Sequence, residues 1–100
     1  MATTTKALFR GAASTSSTTL YTVPASTTAV VTNIVVTNTT STAGTYTLTL
    51  DGVDIAKTVT IGASDSTVID MKQVLATTKI IAGSASATTI NFHISGVEIS

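Results

Sequence analysis

The hairpin at residues 45–61 constrains the fold of this chain more than any other feature of the sequence. Residues 45–50 (TYTLTL) alternate strictly between threonine and a larger apolar side chain, which is the two-residue period of a strand with one buried face. Asp51 and Gly52 follow, and this pair favours the positive-φ positions of a two-residue type I′ turn. The sequence therefore predicts an antiparallel hairpin with one apolar face.

The returning strand is expected to keep the same alternation. Its inward apolar residues all have odd numbers: Val53, Ile55, Val59 and Ile61. Lys57 interrupts this row, and an inward charge in mid-strand is a device of sheet edges, where it discourages pairing with a stray strand. Lys57 therefore favours an edge position for this strand.

The rest of the chain repeats the pattern of short strands and small-residue turns, without a helical stripe. Further strands are expected over residues 18–23, 29–38, 67–71 and 90–94, with Thr67, Ile69 and Met71 facing inward. A chain of 100 residues fits one domain. We predict an all-β, antiparallel β-sandwich over residues 18–100, with seven or eight short strands and a jelly-roll-like closure.

An irregularity is expected in the last strand. Its inward residues up to Ile94 have even numbers, whereas the apolar residues Val97 and Ile99 have odd ones. Either a β-bulge at Ser95-Gly96 resets the register, or the tail from Val97 leaves the sheet. We favour the bulge.

Residues 29–38 (AVVTNIVVTN) are apolar on both faces of their strand. Val31 and Val35 lie on the face that would normally meet water, so another part of the structure must cover them. Three covers are possible: the second sheet, reached by a bent strand, an arm formed by residues 1–17, or a neighbouring subunit.

Residues 1–17 show no period and are predicted to form an extended N-terminal arm. The arm is polar and small apart from the apolar residues around Leu8 and Phe9. An arm of this kind could lie along a neighbouring subunit. Leu8, Phe9 and Arg10, together with Val31 and Val35, form the predicted interface.

The charge content argues against nucleic acid and for assembly. Five basic and five acidic residues cancel, and charged residues are only 10% of the chain, against about 25% in ordinary soluble domains. The cations are scattered, whereas a phosphate backbone requires clustered Lys and Arg. Few charges give weak protection against self-association. We expect a homo-oligomer, taken as a trimer.

No segment has the apolar run of an export signal or of a membrane span. The chain contains no Cys and a single histidine, His93, which no nucleophile motif accompanies. Asp51 and Asp54 bracket the predicted turn, and turn formation explains them better than calcium binding. We therefore expect no enzyme activity, no catalytic residue, no metal site, no cofactor and no membrane partner.

Four segments resemble a group of small virion proteins of tailed bacteriophages. They are residues 20–24 (LYTVP), 29–38 (AVVTNIVVTN), 61–66 (IGASDS) and 95–99 (SGVEI), and the likeness covers about residues 18–99. These motifs are turns and core faces without a catalytic signature. The resemblance implies a structural component of the virion, without fixing its place on the particle.

Two locations stay open. The first is the head surface, where a decoration or cement protein would bind the major capsid protein and reinforce the lattice. The second is the tail, neck or fibre, where a module would touch the host surface or a receptor. The predicted loop tips TTSTAG, GASDS and GSASA carry small residues, which are poor affinity anchors. The head is therefore the expected location.

Overall fold

The computed structural model describes residues 2–100, and its regular structure consists of eight β-strands. The strands are β1 (Thr3–Ala12), β2 (Thr18–Thr22), β3 (Thr28–Asn38), β4 (Gly44–Leu50), β5 (Val53–Ile61), β6 (Ser66–Leu75), β7 (Ile80–Ala85) and β8 (Ile90–Ile99). Two four-stranded sheets result, a first sheet β1-β8-β3-β6 and a second sheet β2-β7-β4-β5. The predicted all-β, antiparallel sandwich is confirmed. Over the described residues, no helix has the length and hydropathy needed to cross a membrane.

The strands pair as nested hairpins. β4 pairs with β5, β3 with β6, β2 with β7 and β1 with β8, all antiparallel. Two further ladders, β3 with β8 and β4 with β7, join these pairs into the two sheets. This scheme is compatible with the predicted jelly-roll closure.

The predicted N-terminal arm is wrong for residues 3–12, which form β1 at one edge of the first sheet. The ladder between β1 and β8 runs from Thr3 opposite Ile99 to Ala12 opposite Asn91. A bulge at Leu8 shifts the phase of the inward side chains in the middle of β1. The alternation is therefore broken in the sequence, which explains why a paired strand resembles an aperiodic arm.

A second bulge, at Thr32 in β3, explains the apolar character of both faces of residues 29–38. The ladders to β6 and β8 shift at Thr32. Val31 faces the core before this residue, whereas Ile34 and Val36 face it afterwards. The protein's own core therefore covers Val31, without an arm or a neighbour, and Val35 lies on the outer face of the sheet.

The β-bulge predicted at Ser95-Gly96 of β8 is wrong. Bulges do occur beside these two residues, but in the neighbouring strands β1 and β3. β8 runs through without an insertion, and the extra residues are Leu8 in β1 and Thr32 in β3. The tail does not leave the sheet either. Val97 stays in β8 and faces outward, beside residue 30 of β3.

Gly96 lies between these two bulges. A Cβ at this position would collide with the carbonyl oxygen of Val30 and would lie 2.9 Å from Cδ1 of Leu8. The backbones of three strands thus approach closely where only a glycine fits.

The hairpin of β4 and β5 turns as predicted. Asp51 and Gly52 have φ angles of 54° and 76°, and Leu50 pairs directly with Val53, as a type I′ turn requires. The edge position favoured by Lys57 is also correct, because β5 is the last strand of the second sheet.

The strict alternation predicted for β5 is wrong. Its ladder to β4 shifts twice, and Thr58 has a positive φ of 50°. Ile61 is buried, but Val53, Ile55 and Val59 are exposed. In β6 the predicted inward residues Thr67, Ile69 and Met71 are half-buried and alternate with exposed ones, as expected.

The core fills the space between the sheets with aliphatic side chains around one aromatic pair. The rings of Tyr46 and Phe92 meet edge to face, with centroids 6.3 Å apart. Asn38 is the buried amide at the end of β3, and its Nδ2 donates to the carbonyl oxygens of Thr42 and Gly62 at 2.9 and 3.2 Å. These bonds fix the loops at that end of the sandwich.

Candidate assembly surface

Three of the five predicted interface residues belong to the protein's own core. Leu8 and Val31 are buried, and Phe9 is half-buried against the core cluster. A partner cannot reach Leu8 or Val31 in the folded chain, so the predicted interface is wrong for these residues. Arg10 and Val35 remain accessible at the surface.

Arg10 and Val35 lie in one row across the outer face of the first sheet. In register order, Arg10 pairs with His93, His93 with Val35, and Val35 with Val68. Directly paired residues share one face of a sheet. The structure therefore brings two predicted residues together with the only histidine and with an exposed valine.

A second row of residues on the same face is entirely apolar. Val30 of β3 pairs with Val97 of β8 on one side and with Val74 of β6 on the other. Asn33 and Asp70 pair between the two rows and separate them. The outer face of the first sheet thus carries one mixed row and one row of valines, and both rows end on an exposed valine of β6.

The most exposed apolar side chains all lie on β5 and β6. Within residues 2–100, the five exposed large hydrophobic residues are Val53, Ile55 and Val59 in β5 and Val68 and Val74 in β6. These two strands are the edges of their sheets, and the other two edges, β1 and β2, contact each other. β5 and β6 therefore flank the opposite side of the sandwich, which we name the β5–β6 side.

The β5–β6 side carries no net charge. Each of its strands has one acid and one base: Asp54 and Lys57 in β5, Asp70 and Lys72 in β6. All four side chains belong to exposed residues. An apolar surface with balanced, alternating charges suits contact with a similar surface better than contact with a polyanion.

An open depression of about 530 Å³ lies on this side, where the ladder between β3 and β6 shifts. Its lining residues are Thr32, Asp70, Met71 and Lys72. None of these residues is buried, and a small-molecule site normally encloses its ligand among convergent groups. The depression is therefore better described as a shallow irregularity of the β5–β6 side than as a ligand site.

A polar cluster joins β1, β2 and β8 at the end of the sandwich. The Tyr21 hydroxyl donates to Oε2 of Glu98, and Nζ of Lys6 lies 3.4 Å from the same oxygen. The Glu98 side chain is only 15% exposed, so its charge relies on these two donors. The cluster fastens the C-terminal strand to both sheets.

The cluster shifts the pKa values of its two acidic groups, Glu98 and Tyr21. The hydrogen bond from Tyr21 lowers the pKa of Glu98, and the hydrogen bond and charge of Lys6 lower it further, against the opposing effect of burial. Burial raises the pKa of Tyr21, and the bond to Glu98 and its charge add to the increase. The ionised glutamate and the neutral phenol are therefore the favoured pair.

The candidate chemical residues take structural positions. Asp51 occupies the first central position of the turn, as predicted, and lies 3.6 Å from Nζ of Lys79. His93 lies in mid-strand on the outer face, between Arg10 and Val35. Over residues 2–100, no group of three or more His, Asp or Glu side chains could hold a metal ion.

The β5–β6 side is not visible in the sequence alone. The exposed valines are indistinguishable from core valines by residue type, and their exposure depends on which strands end each sheet. Lys57 is the one usable signal, because it indicates an edge. No protein-family model matches the chain, and a search of the curated proteins finds no match.

Proposed function

We propose that this chain is a non-enzymatic structural protein of a bacteriophage particle, acting as a decoration or cement protein on the head. One observation carries the assembly part of this proposal: five large hydrophobic side chains are exposed on the β5–β6 side of a molecule with few charges. Several large apolar side chains exposed on one side of a small domain favour a protein interaction site there.

The physical argument for assembly is the cost of leaving this side in water. Val68 and Val74 are 60% and 67% exposed, and Val53 is 67% exposed. Covering each of them on association removes apolar area from water, worth about 25 cal/mol per Å² before the costs of binding. Repeated over a lattice, such contacts would hold neighbouring subunits together without any catalytic apparatus.

The phage assignment is supported by the resemblance of residues 18–99 to small virion proteins, and the head by the small residues at the loop tips. On the head, the partner is the major capsid protein or a second copy seated on it. A receptor-binding module would instead need aromatic or charged anchors at its tips.

Counting copies in the particle tests the proposal. Virions made from the genome that encodes this chain are purified, and the chain is quantified against the major capsid protein by mass spectrometry with labelled peptides. A head protein is expected at a fixed ratio to the capsid protein, in copies on the order of hundreds. Copies in the tens would place it in the tail, neck or fibre, and absence from the particle would overturn the structural role.

Variants connect the copy number to the β5–β6 side. The double substitution Val68→Thr and Val74→Thr keeps β-branched side chains but removes apolar surface, so incorporation should fall while the protein stays folded. Ile80→Thr, on the outer face of the second sheet opposite Thr22, is the matched control and should be incorporated normally. Equal incorporation of all three proteins would contradict the role of this side.

A further inference from the structure

β6 is a long sheet edge whose outer-face residues keep one alternation from end to end. The β1 edge carries a bulge at Leu8, β2 has only five residues, and β5 has two register shifts. β6 has ten residues, its outer-face residues have even numbers throughout, and its ladder to β3 shifts once, where Met71 and Lys72 lie opposite Thr32. One side of β6 is hydrogen-bonded to β3, and the other is a free edge. A free edge can accept another strand.

The outer-face residues of β6 are self-complementary about Met71. They read Val68, Asp70, Lys72 and Val74 at every second position. If a second β6 lies antiparallel with Met71 opposite Met71, residues whose numbers sum to 142 face each other. Val68 then meets Val74, and Asp70 meets Lys72, twice each by symmetry.

The charges select this register over its neighbours. In a shifted register, where the numbers of paired residues sum to 140, Asp70 lies opposite Asp70 of the other copy. A slip to 144 places Lys72 opposite Lys72. Like charges directly opposite destabilise a strand pair, so only the register centred on Met71 satisfies both the charges and the valines.

We propose that β6 pairs antiparallel with β6 of a second copy of this chain about a two-fold axis at Met71, which joins two first sheets into one continuous sheet. Val68 of each copy then packs beside Val74 of the other, and the rows on the two outer faces become continuous. A two-fold pair replaces the expected trimer, because a self-complementary edge closes with one partner.

Charge reversal tests the pairing in solution. Asp70→Lys places a second cation opposite Lys72 of the other copy, and Lys72→Asp places a second anion opposite Asp70, at two symmetric positions each. The wild-type protein should sediment as a dimer in analytical ultracentrifugation, and each single variant should dissociate about tenfold or more readily. The double variant, with both residues exchanged, should recover the wild-type dissociation constant.

Mixing the two single variants gives a sharper readout. Asp70→Lys carries two cations at the positions where Lys72→Asp carries two anions. An equimolar mixture should therefore form a heterodimer more tightly than either variant forms a homodimer. The matched controls are Asp54→Lys and Lys57→Asp on the β5 edge, which should leave the dimer intact. Circular dichroism checks that every variant is folded.

Cross-linking tests the register independently of charge. A Val68→Cys, Val74→Cys double variant should form an intermolecular disulfide under mild oxidation, whereas Val68→Cys alone should not, because two copies of residue 68 lie far apart. A wild-type monomer, a trimer, a dimer insensitive to charge reversal, or cross-linking by Val68→Cys alone would each overturn the pairing. The inference rests on the proposed assembly role, but these outcomes leave the particle copy number unaffected, so the two can fail separately.

Discussion

Gly96 lies where the backbones of β1, β3 and β8 converge, and it has no space for a side chain. We predict that Gly96→Ala lowers the free energy of unfolding by roughly 1–3 kcal/mol, because the methyl group must displace the Val30 carbonyl or Leu8. Urea denaturation measures the loss. Gly62→Ala is the control, since its Cβ would lie 3.6 Å from Asp65, an ordinary contact. Equal losses in both variants would contradict the close approach at Gly96.

The Tyr21 hydroxyl is the main donor to the Glu98 carboxylate. Tyr21→Phe removes this donor, and we expect a loss of about 1.5–3 kcal/mol in unfolding free energy at neutral pH, the range for hydrogen bonds to charged groups. Tyr46→Phe is the matched control, because Tyr46 is buried without a side-chain hydrogen bond to Glu98. A larger loss in Tyr46→Phe than in Tyr21→Phe would contradict the assignment.

The same cluster makes stability depend on pH. The folded-state pKa of Glu98 is lowered, so the ionised carboxylate stabilises the fold fully above its unfolded-state pKa of about 4.3. This stabilisation is lost as the pH falls through the folded-state pKa. The difference between wild-type and Tyr21→Phe proteins should therefore narrow on acidification from pH 5 to pH 3. Urea denaturation across this range measures it, and a constant difference would rule out the ionised carboxylate as the acceptor.

At the scale of the strand, β1 is a structural part of the first sheet. Leu8 is buried at the β1 bulge, so Leu8→Ala should cost roughly 2–5 kcal/mol. Arg10→Ala changes an exposed side chain two residues away and should cost little. The measurement is again urea denaturation. Equal, small effects would mean that β1 is a loosely held arm after all.

Strand positions and tight turns are predictable from the sequence, and register shifts are not. The alternation of β4, the Asp51-Gly52 turn and the inward residues of β6 follow directly from the sequence, since period and turn chemistry are local. β1, β2, β3, β5 and β6 each contain a residue that a neighbouring strand does not match, and an unmatched residue can exchange the two faces of a strand. Local periodicity cannot distinguish such a strand from an aperiodic arm or from a strand that is apolar on both faces.

The positions of the predicted interface residues could be worked out from the sequence only in part, for the same reason. The sequence assigns Leu8 and Val31 to a partner, because the bulges that direct them into the core lie at or next to them and leave no signature in composition. Arg10 and Val35 lie on the outer face of the first sheet, and their contact with a partner stays a prediction. The β6 edge cannot be found without the strand order, although its self-complementary spacing is visible once β6 is known to be an edge.

At the scale of the whole molecule, the sandwich is closed on one side and apolar on the other. β1 and β2 contact each other across one lateral side, whereas β5 and β6 expose their valines on the opposite one. Exposed apolar side chains on one side, together with few charges, favour stable association with other subunits. The proposed dimer and the proposed place on the particle are two levels at which this side would be covered.

A reconstruction of the virion at side-chain resolution is the most direct measurement of this account. It should show the chain on the head surface in contact with the capsid lattice, with Val68 and Val74 covered by a neighbouring subunit. A chain in the particle whose β5–β6 side faces solvent, or particles that contain no density for it, would contradict the central claim.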